Sequence, residues 1–192
     1  MNIQTNAADL VTVSVLGQVA NPSLSGLPAE PYRLDSDGKA FLWPTFGGIV
    51  YNVTIGDSAF GWAGDCIHPS VSIAHSDPNK NRGLNIFSCV GNEAMVVSGR
   101  AKGARGVVTG KSGRFSDQVI IHFDLETRRK IAIDDKIIIK SEGVGMSAPD
   151  CPEVAFKSLS PKLFNALPKR VEGQVMKIGV CATVPPHFVG AG

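Results

Sequence analysis

The feature that most constrains this fold is a two-residue alternation of apolar and polar side chains that recurs along the chain, with helical periodicity nearly absent. Val11, Val13 and Val15 alternate with Thr12 and Ser14. Ile49, Tyr51, Val53 and Ile55 alternate with Asn52 and Thr54 until Gly56-Asp57 stops the run. Alternate side chains of a strand point to opposite faces, so each segment reads as a half-buried strand. Val119, Ile121 and Phe123 share one face of another, and "KIAIDDKIIIK" carries two short β-branched runs around an Asp-Asp turn. Met176, Ile178, Val180, Ala182 and Val184 line one side of a late strand that ends at Pro185-Pro186. One helix start stands out, Ser160 as N-cap with Pro161 at the first helical position, limited to about two turns by Pro168. With 21 glycines and 12 prolines as punctuation, the expectation is a mainly β fold: a β-barrel or barrel-plus-sandwich with one short helix.

Three regions are expected. Residues 1–90 are β-rich with long Gly/Pro loops, 91–143 form a compact strand-turn-strand run, and 144–192 hold a loop, the short helix and the last strand, all packing as one unit. A chain of 192 residues with 43% hydrophobic content can bury a sizeable core without disulfides. Charged residues make up 19% and the net charge is +2, so no global field calls for nucleic acid or membrane. The N-terminus is polar rather than signal-like, and no apolar run approaches the roughly 20 residues that span a bilayer. Cys66, Cys89, Cys151 and Cys181 are widely spaced and form no CxxC pair, which fits reduced thiols in the cytoplasm.

The middle region, "VVSGRAKGARGVVTGKSGR", reads strand, Gly turn, strand, Gly turn, and resembles the KOW motif of small SH3-like barrels. Arg100, Lys102, Arg105, Lys111 and Arg114 put five cations and no acid into fifteen positions. Such a patch can neutralise phosphates, giving a nucleic-acid-binding alternative. It lacks an aromatic until Phe115, and so a stacking platform for exposed bases.

A second constellation lies in "GWAGDCIHPSVSIAHSD", residues 61–77, on what reads as a long irregular loop. Asp65 and His68 lie three apart in a turn and can converge on one ion or one proton; His75 and Asp77, two apart, share a side of an extended chain. Imidazole and carboxylate together suit zinc, manganese or iron, with Asp65, His68 and His75 as ligands, or supply an oriented general base. The plainer alternatives are an Asx-turn at Asp65, an extended residue before Pro69 at His68, and a turn start at Asp77-Pro78. Cys66 has no marks of a nucleophile. His122 and Asp124 stand on the face opposite Val119, Ile121 and Phe123, at a mouth or on a solvated surface. His187 follows two prolines and precedes flexible glycines, which suits a ligand-binding turn or a strand exit.

The segments "YRLDSDGKAFLWPTFGGIVYNVTIGDSAFGWAGDCIHPSVSI", "NEAMVVSGRAKGARGVVTGK" and "VPPHFVGAG" together resemble the uncharacterised family called domain of unknown function 4438, over nearly the whole chain. The resemblance implies a β-rich cytosolic prokaryotic protein and carries over no reaction or catalytic residue. Sequences of that family continue past the segment matching "PPHFVGAG", whereas this chain ends at Gly192. That ending leaves open a domain boundary or a self-cleaving precursor whose second chain begins with a Ser, Thr or Cys nucleophile.

The leading expectation is a cytosolic enzyme acting on a small polar metabolite by hydrolysis, assisted by a divalent metal. Asp65, His68 and His187 are the candidate catalytic residues. Alternatives are a KOW-like nucleic-acid-binding module and a structural subunit completed by a partner chain. A homo-oligomer or a second chain of the same precursor is the expected protein partner, and no membrane partner is expected.

Overall fold

A computed structural model describes residues 3–22, 32–42, 47–57, 67–113, 117–180 and 183. Its strands are β1 (Val13–Val19), β2 (Tyr32–Leu34), β3 (Ala40–Leu42), β4 (Ile49–Val50), β5 (Ser70–Ala74), β6 (Glu93–Val96), β7 (Arg105–Lys111), β8 (Val119–His122), β9 (Lys136–Ser141), β10 (Lys169–Glu172) and β11 (Val175–Ile178). The helices are α1 (Pro78–Phe87), α2 (Leu125–Arg128) and α3 (Pro161–Ala166), with a 3-10 turn at Ala7–Asp9.

Six antiparallel strands close into a barrel in the order β1-β9-β6-β7-β8-β5. Closure comes from β1, which pairs with β9 along one edge and with β5 along the other through Gln18↔Ala74 and Val19↔Ile73. Closing the sheet removes the exposed edges that an open one would leave. Residues 91–143 supply β6, β7, β8 and β9; β1 and β5 come from the preceding region. The alternating residues fill the interior: Val71, Ile73, Val119, Ile121, Phe123, Ile137 and Ile139 are all buried in one cluster with Val19, Val96 and Val108.

The structure adds α1 where the sequence suggests a turn. Asp77 and Pro78 carry the same polar-cap-then-proline signature as Ser160 and Pro161, and both pairs start helices. The helix lacks an apolar stripe because Leu84 is its one buried residue. It closes onto β1 at Gly17, where a Cβ would lie 2.7 Å from Ile73 Cδ1 and 2.9 Å from Leu84 Cδ2. A larger side chain there would require the ends of the Ile73 and Leu84 side chains to shift.

Three other expectations shorten. The alternation at 49–55 is strand through Val50 and then turns, leaving Tyr51 and Ile55 exposed while Val53 is buried. In "KIAIDDKIIIK" the second run is β9, whereas the first forms a turn that buries Ile131. Of the late run, Met176 and Ile178 lie in β11, which pairs with β10 as a hairpin outside the barrel; Val180 lies beyond the strand, and Ala182 and Val184 lie outside the described residues. Val171 and Met176 seat that hairpin on a second apolar cluster of Ile3, Met146, Ala148 and Phe164. Among the described residues no helix is long and apolar enough to cross a membrane.

Candidate functional site

The outer face of β5 carries a polar layer. Ser70 and Ser72 are buried there, and His68, also buried, brings Nδ1 to 3.1 Å from Ser72 Oγ. Burial draws the His68 imidazole below its ordinary 6.5, with the Gln118 side chain pulling the other way. Ser70 Oγ accepts the backbone N–H of Phe123 at 3.0 Å, locking β5 to the end of β8. His68 is therefore built into the barrel wall and is held neutral near pH 7.

The His75 ring and the Asp77 carboxylate each accept backbone N–H groups. His75 Nδ1 accepts the backbone N–H of Asp77 at 3.0 Å. The Asp77 carboxylate turns toward α1, where it accepts N–H groups from Asn79 at 2.8 Å and Lys80 at 3.2 Å. Those bonds, Lys80's first, hold it below the usual 3.8. Asp124 likewise caps α2, accepting the Thr127 N–H at 2.8 Å, so it is separated in role from His122 on β8. Asp65, Cys66, Arg114 and His187 lie outside the described residues. Among those described, no group of three or more His, Cys, Asp and Glu could hold a metal ion.

The cations of the KOW-like stretch are spread along the barrel rather than gathered. Arg100 and Lys102 sit in the turn before β7, and Arg105 pairs with Glu93. Lys111 stands at the far end of β7, about 20 Å along the strand from Arg105.

Lys111 instead joins a groove of about 750 Å³ that no single sequence segment announces. One wall is α1, through Asn81, Arg82, Asn85 and Ile86; the other comes from Gly143, Val144 and Gly145 with Phe156, Lys157 and Ser158. Ser112 and Asp117, from the β7–β8 connection, complete it. Asparagines hold the walls in place. Asn81 Nδ2 and Asn85 Nδ2 both donate to the Asp117 carbonyl oxygen, at 2.9 and 2.7 Å. Lys111 Nζ donates to the Asn85 carbonyl oxygen at 2.8 Å. Gly143, at φ +124°, lets its loop pass closely: a Cβ there would lie 2.5 Å from the Leu159 carbonyl oxygen and 3.2 Å from Cys89 Sγ. Burial pushes the Cys89 thiol up, with Lys111 pulling the other way.

The groove's charge is unbalanced. Arg82, Lys111 and Lys157 face one carboxylate, Asp117. Lys111 is half-buried, and burial draws its ammonium below the ordinary 10.5, opposed by Cys89. Such a cation gains from an anion that replaces lost solvent. No motif or spacing marks Arg82 or Lys157; the legible trace of this site is the helix start at Asp77-Pro78. Nor does any motif mark Arg128. It is buried, and its Nη1 donates to the carbonyl oxygens of Val50 at 2.6 Å and Val53 at 3.0 Å, fastening the turn after β4.

The family described as "Domain of unknown function (DUF4438), N-terminal" matches residues 32–165. Among solved structures, the crystal structure of TM1086 is similar at 38% identity and a TM-score of 0.88, over 100% of this chain and 66% of that one. This chain thus spans just under two thirds of that protein's length. No curated protein matches it.

Proposed function

We propose that this chain, which belongs to the DUF4438 family, binds a small, negatively charged polar metabolite in the groove between α1 and the 143–145 and 156–158 segments. The observation that carries this reading is Lys111, a half-buried cation in a cavity of about 750 Å³ with two further cations and one carboxylate. That volume falls within the roughly 300–1,000 Å³ of small-molecule sites. Titration of the protein with inorganic phosphate, pyrophosphate and malonate, beside a Lys111→Met variant, tests it. Saturable binding of at least one anion, weakened about tenfold or more in the variant, is expected; no saturable binding, or binding indifferent to Lys111, overturns it.

A hydrolytic reading keeps the polar substrate and gives His68 the work of a general base, with Asp65, His187 and a divalent metal as its companions. What favours it is a neutral imidazole within hydrogen-bond reach of a serine hydroxyl. Assays on p-nitrophenyl phosphate and p-nitrophenyl acetate, with and without Zn²⁺ or Mn²⁺, test this reading. Turnover abolished by His68→Gln supports it, and turnover absent or unchanged in that variant removes it. We place the protein in the cytosol, a setting consistent with Cys89 and Cys151 as buried free thiols.

A further inference from the structure

We infer that the ligand of this groove is amphipathic, an anionic head (phosphate or carboxylate) at Lys111 joined to an apolar body seated on Ile86, Val144 and Phe156. This deepens the reading above and rests on it. A phosphate or carboxylate group alone would fill a small part of about 750 Å³. The remaining wall is not uniformly polar. Ile86 and Val144 are 55% and 47% exposed, from opposite sides of the same groove. Phe156 is half-buried, and its ring meets Phe164 edge-on at 5.0 Å and 86°. That contact fixes the ring against the second core cluster, so it presents a preorganised apolar surface. Scattered exposed hydrophobics need no explanation, but three lining one cationic groove make a surface with two chemistries. Lys111, with one proton committed to Asn85, is the least mobile cation of the three and the natural seat for the head. Arg82 and Lys157 are exposed and can close over either kind of head from the rim.

The experiment is a calorimetric titration of the full chain with inorganic phosphate, phenyl phosphate, 3-phenylpropionate and phenol. The inference expects phenyl phosphate, 3-phenylpropionate or both to bind at least tenfold more tightly than phosphate, and phenol to bind weakest. Whichever aryl anion is tighter identifies the head. An Ile86→Asn/Val144→Ser double variant, with both changes at exposed positions and folding checked by circular dichroism, should bring the ratio of aryl-anion to phosphate affinity down from tenfold toward one. Phosphate and the aryl anions binding equally, all dependent on Lys111, overturns the amphipathic ligand and leaves the anion groove standing. No Lys111-dependent binding by any probe overturns both.

Discussion

Lys111 and Asn85 tie the barrel to its helix: the lysine Nζ, at the end of β7, donates at 2.8 Å to the Asn85 carbonyl oxygen in α1. The bond orients a cation whose burial disfavours its charged form. It also makes the groove's chemistry depend on how α1 sits against the barrel.

Anion binding should therefore fade on the alkaline side sooner than an ordinary lysine would allow. The protonated ammonium binds the anion, so affinity is present below the Lys111 pKa and lost as pH rises through it, which begins below 10.5. Titrations of phosphate at pH 7, 9 and 10 are expected to show this fall. Lys111→Arg, always charged, should hold its affinity to pH 10.

His68 predicts a stability change at mild acidity. Its folded pKa lies below the unfolded value of about 6.5, so between those two values the unfolded chain binds more protons. Stability then falls as pH drops from about 6.5 toward the folded value and levels off beneath it. Asp77 and Asp124, held below 3.8, contribute their losses at lower pH. Urea unfolding at pH 7.5 and 5.0 should show the fall in the wild type and a smaller one in His68→Gln.

How much of this was legible follows from where each side chain's information sits. Val119, Ile121 and Phe123 declare their strand because a barrel interior demands alternation, and all three are buried. Ser160 declares α3 because its hydroxyl accepts the Leu163 N–H at 3.1 Å, a local bond that sequence spacing can foresee. Helix α1 hides because "PNKNRGLNIF" buries Leu84 alone and uses Asn81 and Asn85 to hold a carbonyl thirty-odd residues away. The groove hides for the same reason on a larger scale. Arg82, Lys111 and Lys157 meet through tertiary packing, and no spacing in the chain connects them. The histidine-rich stretch stands out by composition, yet His75 and Asp77 there organise a helix start.

Asp77→Ala tests that helix start. Loss of the carboxylate leaves the Asn79 and Lys80 N–H groups without their cap. Hydrogen exchange at those two amides should quicken. Phosphate affinity should fall several-fold through the loosened Asn81 and Asn85, the latter being the acceptor that orients Lys111.

Gly143→Ala should damage both fold and groove. Its φ of +124° is strained for any other residue, and the new Cβ would meet the Leu159 carbonyl oxygen at 2.5 Å. A stability loss of about 2–4 kcal/mol by urea unfolding is expected, from backbone strain together with overpacking.

The central claim, that the groove is the ligand seat, is tested most directly by mapping backbone amide shifts as phosphate and phenyl phosphate are added to isotope-labelled protein. Saturable shifts concentrated at 82–86, 111–112, 117, 143–145 and 156–158 are the predicted result. Shifts gathered at 99–105 around Arg100, Lys102 and Arg105, or no saturable shifts anywhere, would contradict it.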